Sequence, residues 1–254
     1  MTKPVLYIRT GYALYLGPLH DNREHRHHLV QVALGLYHDF TLTIEGSEHK
    51  ACEALLRAGV MHRVGSPDAP VCMVLFDADS SFAASVEKSL AGEVFKVFSE
   101  PMVSGKLRKV FNSEKSLPSG EELDGLVANL FGTESLNEQK KNPAMEELLE
   151  HLKSSEGKRC SAAEGAARIG LSESRMLHRF TEYTGIPFRR YLLWLRLRDA
   201  IDCITGGMNF TDAAHEAGFS DSAHLSRTFV DTFGMTMLKI FKNPDAGRFI
   251  QVIT

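Results

Sequence analysis

No stretch of this chain is long and apolar enough for a transmembrane helix, and its start carries neither a signal peptide nor a basic targeting tail, so a membrane role is not expected. Cysteine is scarce: Cys52, Cys72, Cys160 and Cys203 are scattered at no paired spacing and in largely apolar contexts. That pattern argues against a disulfide framework and for reduced, structural thiols in the cytoplasm, with a redox-sensing pair as the lesser alternative. There is no phosphate-binding glycine loop, no nucleophile with a base at suitable spacing and no pair of catalytic carboxylates, so no enzyme is expected. Low-complexity segments are missing too. What remains, with 43% hydrophobic and 24% charged residues in 254, is an ordinary globular composition of one large or two average domains.

Charge is unevenly placed. The net charge of −3 divides into −6 over residues 1–157 and +3 over residues 158–254. Residues 168–198 hold seven arginines against two glutamates. A basic C-terminal part suits contact with phosphates, which supply much of the affinity of a nucleic-acid binder and make it salt-dependent.

That basic part contains one motif twice. The first copy is A-A-R-I-G-L-S-E-S-R-M-L-H-R-F-T-E-Y-T-G (166–185), the second A-A-H-E-A-G-F-S-D-S-A-H-L-S-R-T-F-V-D-T-F-G (213–234). Each reads as a helix-turn-helix: small residues on a first helix, a glycine turn that needs φ > 0, then a second helix. Ala162, Ala163, Ala166 and Ala167 are the expected small face of the first copy and Gly170 its turn; Ala213, Ala214, Ala217 and Gly218 serve the second. Ser172 and Ser220 are the expected caps. Met176, Phe180 and Tyr183, and later Leu225, Phe229 and Phe233, recur at helical spacing and should point inward. Ser174, Arg175, Leu177, His178 and Arg179 are then left outward on the first, and Ser222, Ala223, Ser226 and Arg227 on the second. Between them, Phe188–Thr205 reads as one connector helix, opened by Pro187, closed by Gly206-Gly207 and carrying the single tryptophan, Trp194. Arg189 and Arg190 at its start are phosphate candidates, or else part of a solvated face. A helical bundle with no DNA role is the bland alternative, and two copies in register weigh against it.

In these residues, over about 145–242, the chain resembles the AraC/XylS family of bacterial transcription regulators. The most specific block is G-F-S-D-S-A-H-L-S-R-T-F (218–229). The resemblance implies that Ser174, Leu177 and His178, and Ser222, Ala223, Ser226 and Arg227, contact bases. Arg and Ser reach base edges, and Ala or Leu meets a thymine methyl. Leu177 and His178 stand where polar or Arg residues are more usual, which implies weaker or more apolar readout by the first unit. M-T-M-L-K-I-F (235–241) lacks the family's usual proline.

Residues 4–110 read as short β segments, V-L-Y-I, Y-A-L-Y-L, L-V-Q-V-A-L-G-L, F-T-L-T-I and V-C-M-V-L-F, divided by turn residues: an antiparallel barrel or sandwich. The family resemblance implies a cupin-type sensor barrel here. H-R-H-H-L-V-Q (25–31) and V-M-H-R-V (60–64) look like degenerate cupin motifs, with Gln31 in place of the usual Glu and no P-x-G in the second. His25 and His27 would alternate on one strand with Gln31 on the same parity, and His62 would face them. Neutral imidazoles suit zinc, nickel, copper or iron. The degeneracy favours ordinary or inherited histidines over a metal centre.

Two amphipathic helices should follow, 121–132 and 143–153. The stripe Leu123, Leu126, Val127 and Leu130 suits either its own barrel or a second chain. N-E-Q-K-K-N (137–142) is the expected linker. The organisation expected is multidomain: an all-β cupin-like barrel over 1–115, a helical linker and dimerisation segment over 116–142, and an all-α tandem helix-turn-helix domain over 143–254. The expected partners are double-stranded promoter DNA, a small-molecule or metal effector, RNA polymerase and a second copy of the chain. A metal-dependent cupin enzyme with a DNA-binding appendage, and an architectural binder that responds to no ligand, are the alternatives.

Overall fold

A computed structural model describes residues 5–9, 11–19, 22–78, 80–111, 117–132, 142–154, 157–184 and 186–241. The linker at 137–141, the polar residues 113–116 and Gly185 lie outside the described residues. By contacts the chain divides into two compact units, residues 1–133 with 229–254, and residues 134–228. No helix of the described residues is long and apolar enough to cross a membrane.

The first unit is an antiparallel, nearly closed barrel. Its strands are β1 (Val5–Arg9), β2 (Tyr12–Leu19), β3 (Val30–Gly35), β4 (Phe40–Ile44), β5 (Ser47–Ala51), β6 (Glu53–Leu56), β7 (His62–Phe76) and β8 (Phe95–Phe98). They follow the order β1-β2-β7-β3-β6-β8, with β4 joining β5 to β7. Strand β7, at 15 residues, serves two sheets. Its second half lies between β2 (Leu16↔Cys72) and β3 (Val32↔Val74), while its first residues pair with β4 (Ile44↔His62). The β4–β5 hairpin turns on Glu45 and Gly46, both at positive φ (49° and 80°), the geometry whose twist matches paired strands.

Strand β3 is buried along its whole length because both faces of the sheet are covered. One face, with Tyr12, Leu14, Val30, Val32, Val74 and Phe76, packs under α1 (Ser81–Leu90), α2 (Ser104–Phe111) and α3 (Gly120–Phe131). Alternation along the strands turns Ala13, Tyr15, Gln31, Ala33, Met73 and Leu75, all buried, toward the barrel interior. Helices α1 and α2 interrupt a region expected to be all β, and β5, β6 and β8 add strands beyond those expected. The helical spacing was there to read in α1, whose Ala83, Val86 and Leu90 are the buried residues.

Helix α3 opens with a capping box. The Glu122 N–H donates to Ser119 Oγ (3.3 Å) and the Ser119 N–H to Glu122 Oε2 (2.8 Å). Its Leu123, Val127 and Phe131 join the cluster under its own barrel, with Leu126 and Leu130 packed against it. Asp124 on the same helix pairs with Arg9 and accepts from the Tyr12 hydroxyl (2.8 Å). Each buried leucine or phenylalanine contributes about 1.5–3 kcal/mol, while a half-exposed ion pair contributes about 0–1 kcal/mol. Apolar burial therefore holds this helix, and the ion pair fixes its register.

The second unit begins with α4 (Pro143–Lys153), capped by Asn142, whose side chain accepts from the Met145 N–H (3.3 Å). A 3-10 turn, Gly157–Arg159, leads to α5 (Ala162–Arg168), α6 (Glu173–Thr184), α7 (Phe188–Thr205), α8 (Phe210–Glu216) and α9 (Ser222–Phe233), whose residues from Phe229 on, with α10 (Met237–Phe241), are counted by contacts in the first unit. The expected connector helix coincides with α7. Its buried side includes Phe188, Tyr191, Leu192, Trp194, Leu195, Leu197 and Ile201.

Candidate nucleic-acid interface and histidine cluster

The two helix-turn-helix copies make the same turn, bond for bond. In the first, the Leu171 N–H reaches back to the Ala166 carbonyl (3.0 Å) and the Gly170 N–H to Ala167 (3.2 Å). In the second, Phe219 donates to Ala214 (2.8 Å) and Gly218 to His215 (3.1 Å). Gly170 and Gly218 sit at φ 65° and 81°. This six-to-one bond over a left-handed glycine ends a helix sharply and lets the next one start at once. In the second copy Ala213, Ala214 and Ala217 are buried as expected. In the first, the buried small residues are Gly165 and Ala166, while Ala163 and Ala167 are exposed and Ala162 is half-buried. Gly165 takes the place the alanine pattern assigns to Ala163 or Ala167: a Cβ there would lie 3.5–3.6 Å from Leu148, Phe188 and Met176.

Helix α6 buries Met176, Phe180 and Thr184, and Tyr183 is only half-buried, so the inward row ends one residue later than expected. The Thr184 hydroxyl makes this possible by donating to the Phe180 carbonyl (2.8 Å). Outward stand Ser174, Arg175, His178 and Arg179, all exposed, with Leu177 half-buried. On α9, Leu225, Phe229 and Phe233 are buried; Ala223 and Arg227 are exposed, and Ser222 and Ser226 half-buried. The cap of α9 is Asp221 rather than Ser220. Its Oδ1 accepts from the His224 N–H (2.7 Å), and that bond holds the Asp221 carboxyl below its usual range. A carboxylate at the helix start also suits the dipole better than a hydroxyl does. Arg189 and Arg190 are exposed at the start of α7. Further along the Arg-rich run, Arg168 pairs with Glu147 (3.6 Å), and Arg196 Nε donates to the Lys158 carbonyl (2.9 Å). Arginine thus divides here between scaffold and solvent.

In the barrel the structure brings His25, His27, Gln31 and His62 together. His25 and His27 lie outside the strands rather than alternating along one; His25 forms an isolated antiparallel bridge with His62, each N–H donating to the other's carbonyl (2.9 Å). The three rings are buried, and one nitrogen of each lies within 4.8 Å of the others. Every Nδ1 meets a backbone carbonyl two residues away: His25 to Arg23 (2.8 Å), His27 to Leu29 (3.0 Å) and His62 to Val60 (2.9 Å). Carbonyls only accept, so each Nδ1 carries the proton and each Nε2 keeps its lone pair. Burial lowers the pKa of all three, His62 to about 4, so the rings are neutral at physiological pH. Gln31 Oε1 lies 2.8 Å from His27 Nε2 and 3.1 Å from His62 Nε2. Neutral rings with free Nε2 atoms and a carbonyl oxygen are the donor set of a first-row divalent ion, and so fit one chemically. Sequence pattern named these four residues. It gave no sign of the three backbone carbonyls that set the tautomer, because those depend on chain path alone.

Residues 166–243 match the family model described as a helix-turn-helix domain. The chain is 34% identical over 110 residues to an uncharacterized HTH-type transcriptional regulator, YidL of Escherichia coli K12. That match covers 42% of this chain and about a third, 37%, of YidL. Among solved structures, an apo variant of ToxT from Vibrio cholerae shares the fold at TM-score 0.59 and 13% identity, over 92% of this chain and 98% of ToxT. ToxT bound to an unsaturated fatty acid aligns at TM-score 0.51 and 12% identity, over 90% of this chain and 94% of ToxT. With its turn repeated behind two left-handed glycines, the chain carries a helix-turn-helix domain in its C-terminal part.

Proposed function

We propose that the protein is a sequence-specific transcription regulator, whose α6 and α9 read promoter DNA and whose barrel senses a small effector. The observation that carries the reading is the pair of outward faces behind identical glycine turns: Ser174, Arg175, His178 and Arg179 on α6, Ala223 and Arg227 on α9. Two reading helices on one chain can occupy successive major grooves without a partner. Arg227 and Ser222 have the chemistry for base edges, Arg189 and Arg190 for phosphates. His178 and Leu177 make the first unit the less polar reader. In this reading the chain acts in the cytoplasm, catalyses nothing itself and works on transcription through RNA polymerase. Helix α3 uses its apolar stripe on its own barrel, so the reading does not depend on a homodimer.

An effector-binding barrel is supported by the shared fold of ToxT, which has been solved with a fatty acid bound. The test is selection of DNA from a random pool by the full chain, followed by titration at several salt concentrations. A recovered consensus, bound far more tightly than random DNA and with affinity falling steeply with salt, is the expected result. Equal affinity for selected and random DNA at every salt concentration would leave only an architectural binder.

A further inference from the structure

We infer that the helical unit carries a small-molecule site of its own, a cavity between the 3-10 turn, α7 and the end of α8 that takes a free basic amino acid of the ornithine or lysine class. All its residues lie within 134–228, so it is independent of what the barrel holds and of whether α6 and α9 meet DNA.

The cavity measures about 630 Å³, within the range of small-molecule sites, and its walls include Lys158, Arg159, Asp199, Asp202, Cys203 and Glu216. Lys158 and Asp199 close one wall by pairing with each other. The other charges are not matched in this way. Arg159 and Glu216 are exposed, and neither side chain is in an ion pair among the described residues. The stem of Arg159 runs over Gly218, where a Cβ would lie 3.9 Å from its Cγ. Asp202 on α7 has an Oδ1 shut from water with no hydrogen-bond partner among the described residues. Arg198, one turn earlier, offsets part of that cost, yet burial wins and the Asp202 pKa is raised.

The charges sort into two ends. Around Cys203 the sign is negative: burial, then Glu216, Asp199 and Asp202, push its thiol pKa up. Toward the 3-10 turn it is positive, since Arg196, lowered first by burial, is lowered further by Arg159. A ligand that satisfies both ends carries a carboxylate for Arg159, which can hold it through two parallel bonds, and an ammonium for Asp202 and Glu216. That is the pair of groups on every free amino acid. With Lys158 and Asp199 cancelling, two carboxylates face one guanidinium, and a second ammonium on the ligand neutralises the remaining negative charge. A basic amino acid therefore fits better than a neutral one. A diamine would leave Arg159 unmatched, and a dicarboxylate would meet Asp202 and Glu216 with its own sign. A metal ion does not fit either: among the described residues, three ligand groups converge closely enough only in the barrel histidines.

The experiment is calorimetric titration of the full chain with L-ornithine and L-lysine, with cadaverine and glutarate as the two half-matched controls. Saturable binding of one amino acid per chain with Kd below about 1 mM is expected, and the controls at least about tenfold weaker. Arg159→Gln and Glu216→Gln change exposed side chains and leave the fold intact. Each should weaken lysine at least about tenfold, the loss of a bond between charged groups. Arg159→Gln should also remove the advantage of lysine over cadaverine. The proposal is overturned if neither amino acid binds saturably up to about 10 mM, or if cadaverine binds the natural chain as tightly as lysine. Lysine binding that both variants leave undiminished places the ligand elsewhere on the chain, and overturns it equally.

Discussion

The division of labour among the exposed arginines makes the most exacting prediction. Arg175, Arg179, Arg189 and Arg190 are all exposed on α6 and at the start of α7. If those four meet phosphates, the logarithm of the binding constant falls with the logarithm of salt at a slope of about −3.6, at roughly 0.9 per phosphate. Between about 50 and 200 mM salt the affinity then drops about 150-fold. Replacing Arg189 and Arg190 with alanine should halve the slope and cut that drop to about 12-fold, weakening selected and random DNA alike. Arg227→Ala should do the opposite. A base-contacting arginine is worth about 1–3 kcal/mol of discrimination, so binding to the selected site should fall about 5- to 150-fold while random DNA hardly changes. Fluorescence anisotropy on both DNAs across a salt series reads slope and ratio together. The reasoning is refuted if Arg227→Ala leaves the selected-to-random ratio intact, or if the Arg189/Arg190 pair changes the ratio rather than the slope.

Other expectations follow from the scaffold. The buried Glu53 carboxylate accepts from the N–H groups of Met102, Val103 and Ser104 at 2.7–2.8 Å, holding the start of α2. Glu53→Ala should cost about 3 kcal/mol in urea unfolding, since bonds to a charged group are worth about 1.5–3 kcal/mol each and the Met102 N–H can rehydrate; a cost below about 1 kcal/mol would contradict this. Glycine to alanine should change sign between two positions five residues apart. Gly165→Ala, with neighbours at ordinary contact distance inside α5, should stabilise by about 0.5–1 kcal/mol. Gly170→Ala, at φ 65°, should destabilise by about 1 kcal/mol; the two melting temperatures moving in the same direction would refute the assignment. Asp202 has a buried Oδ1 with no hydrogen-bond partner among the described residues, and burial raises its pKa. The folded state then holds this proton more tightly than the unfolded one, so stability falls as pH rises out of the usual carboxylate range through the raised value. Asp202→Asn should remove that fall and raise the neutral-pH urea midpoint, and an unchanged or lower midpoint would count against it.

The helical half was legible because its signals are local. A left-handed glycine, a cap and an apolar row lie within one or two turns of each other, and Gly170, Gly218 and the span of α7 could be assigned from residue types alone. Errors there were also local: Asp221 takes the cap from Ser220 because a carboxylate one residue nearer the helix wins the same N–H. The barrel was legible only in part. Strands β2, β3 and the second half of β7 (V-C-M-V-L-F) show up as largely apolar runs, whereas β5 (S-E-H-K-A) is largely exposed and carries no such run. Helix α2 owes its start to Glu53, about 50 residues earlier in the chain, and no local rule reports a cap from that distance.

The histidine cluster falls between these cases. Residue types at 25, 27, 31 and 62 named it, although the strand alternation invoked for His25 and His27 is not how they meet. They meet because His62 opens β7, pairs there with Ile44 and bridges to His25, while the chain enters β3 just after His27 and carries Gln31 into the barrel. A motif match weighs the residue at each position and counts Gln31 as a loss. The folded site weighs lone pairs, and there an amide flanked by two Nε2 atoms has a role a carboxylate lacks: it can face them as donor or as acceptor. That difference is the physical reason why a departure from the motif need not mean a vestige.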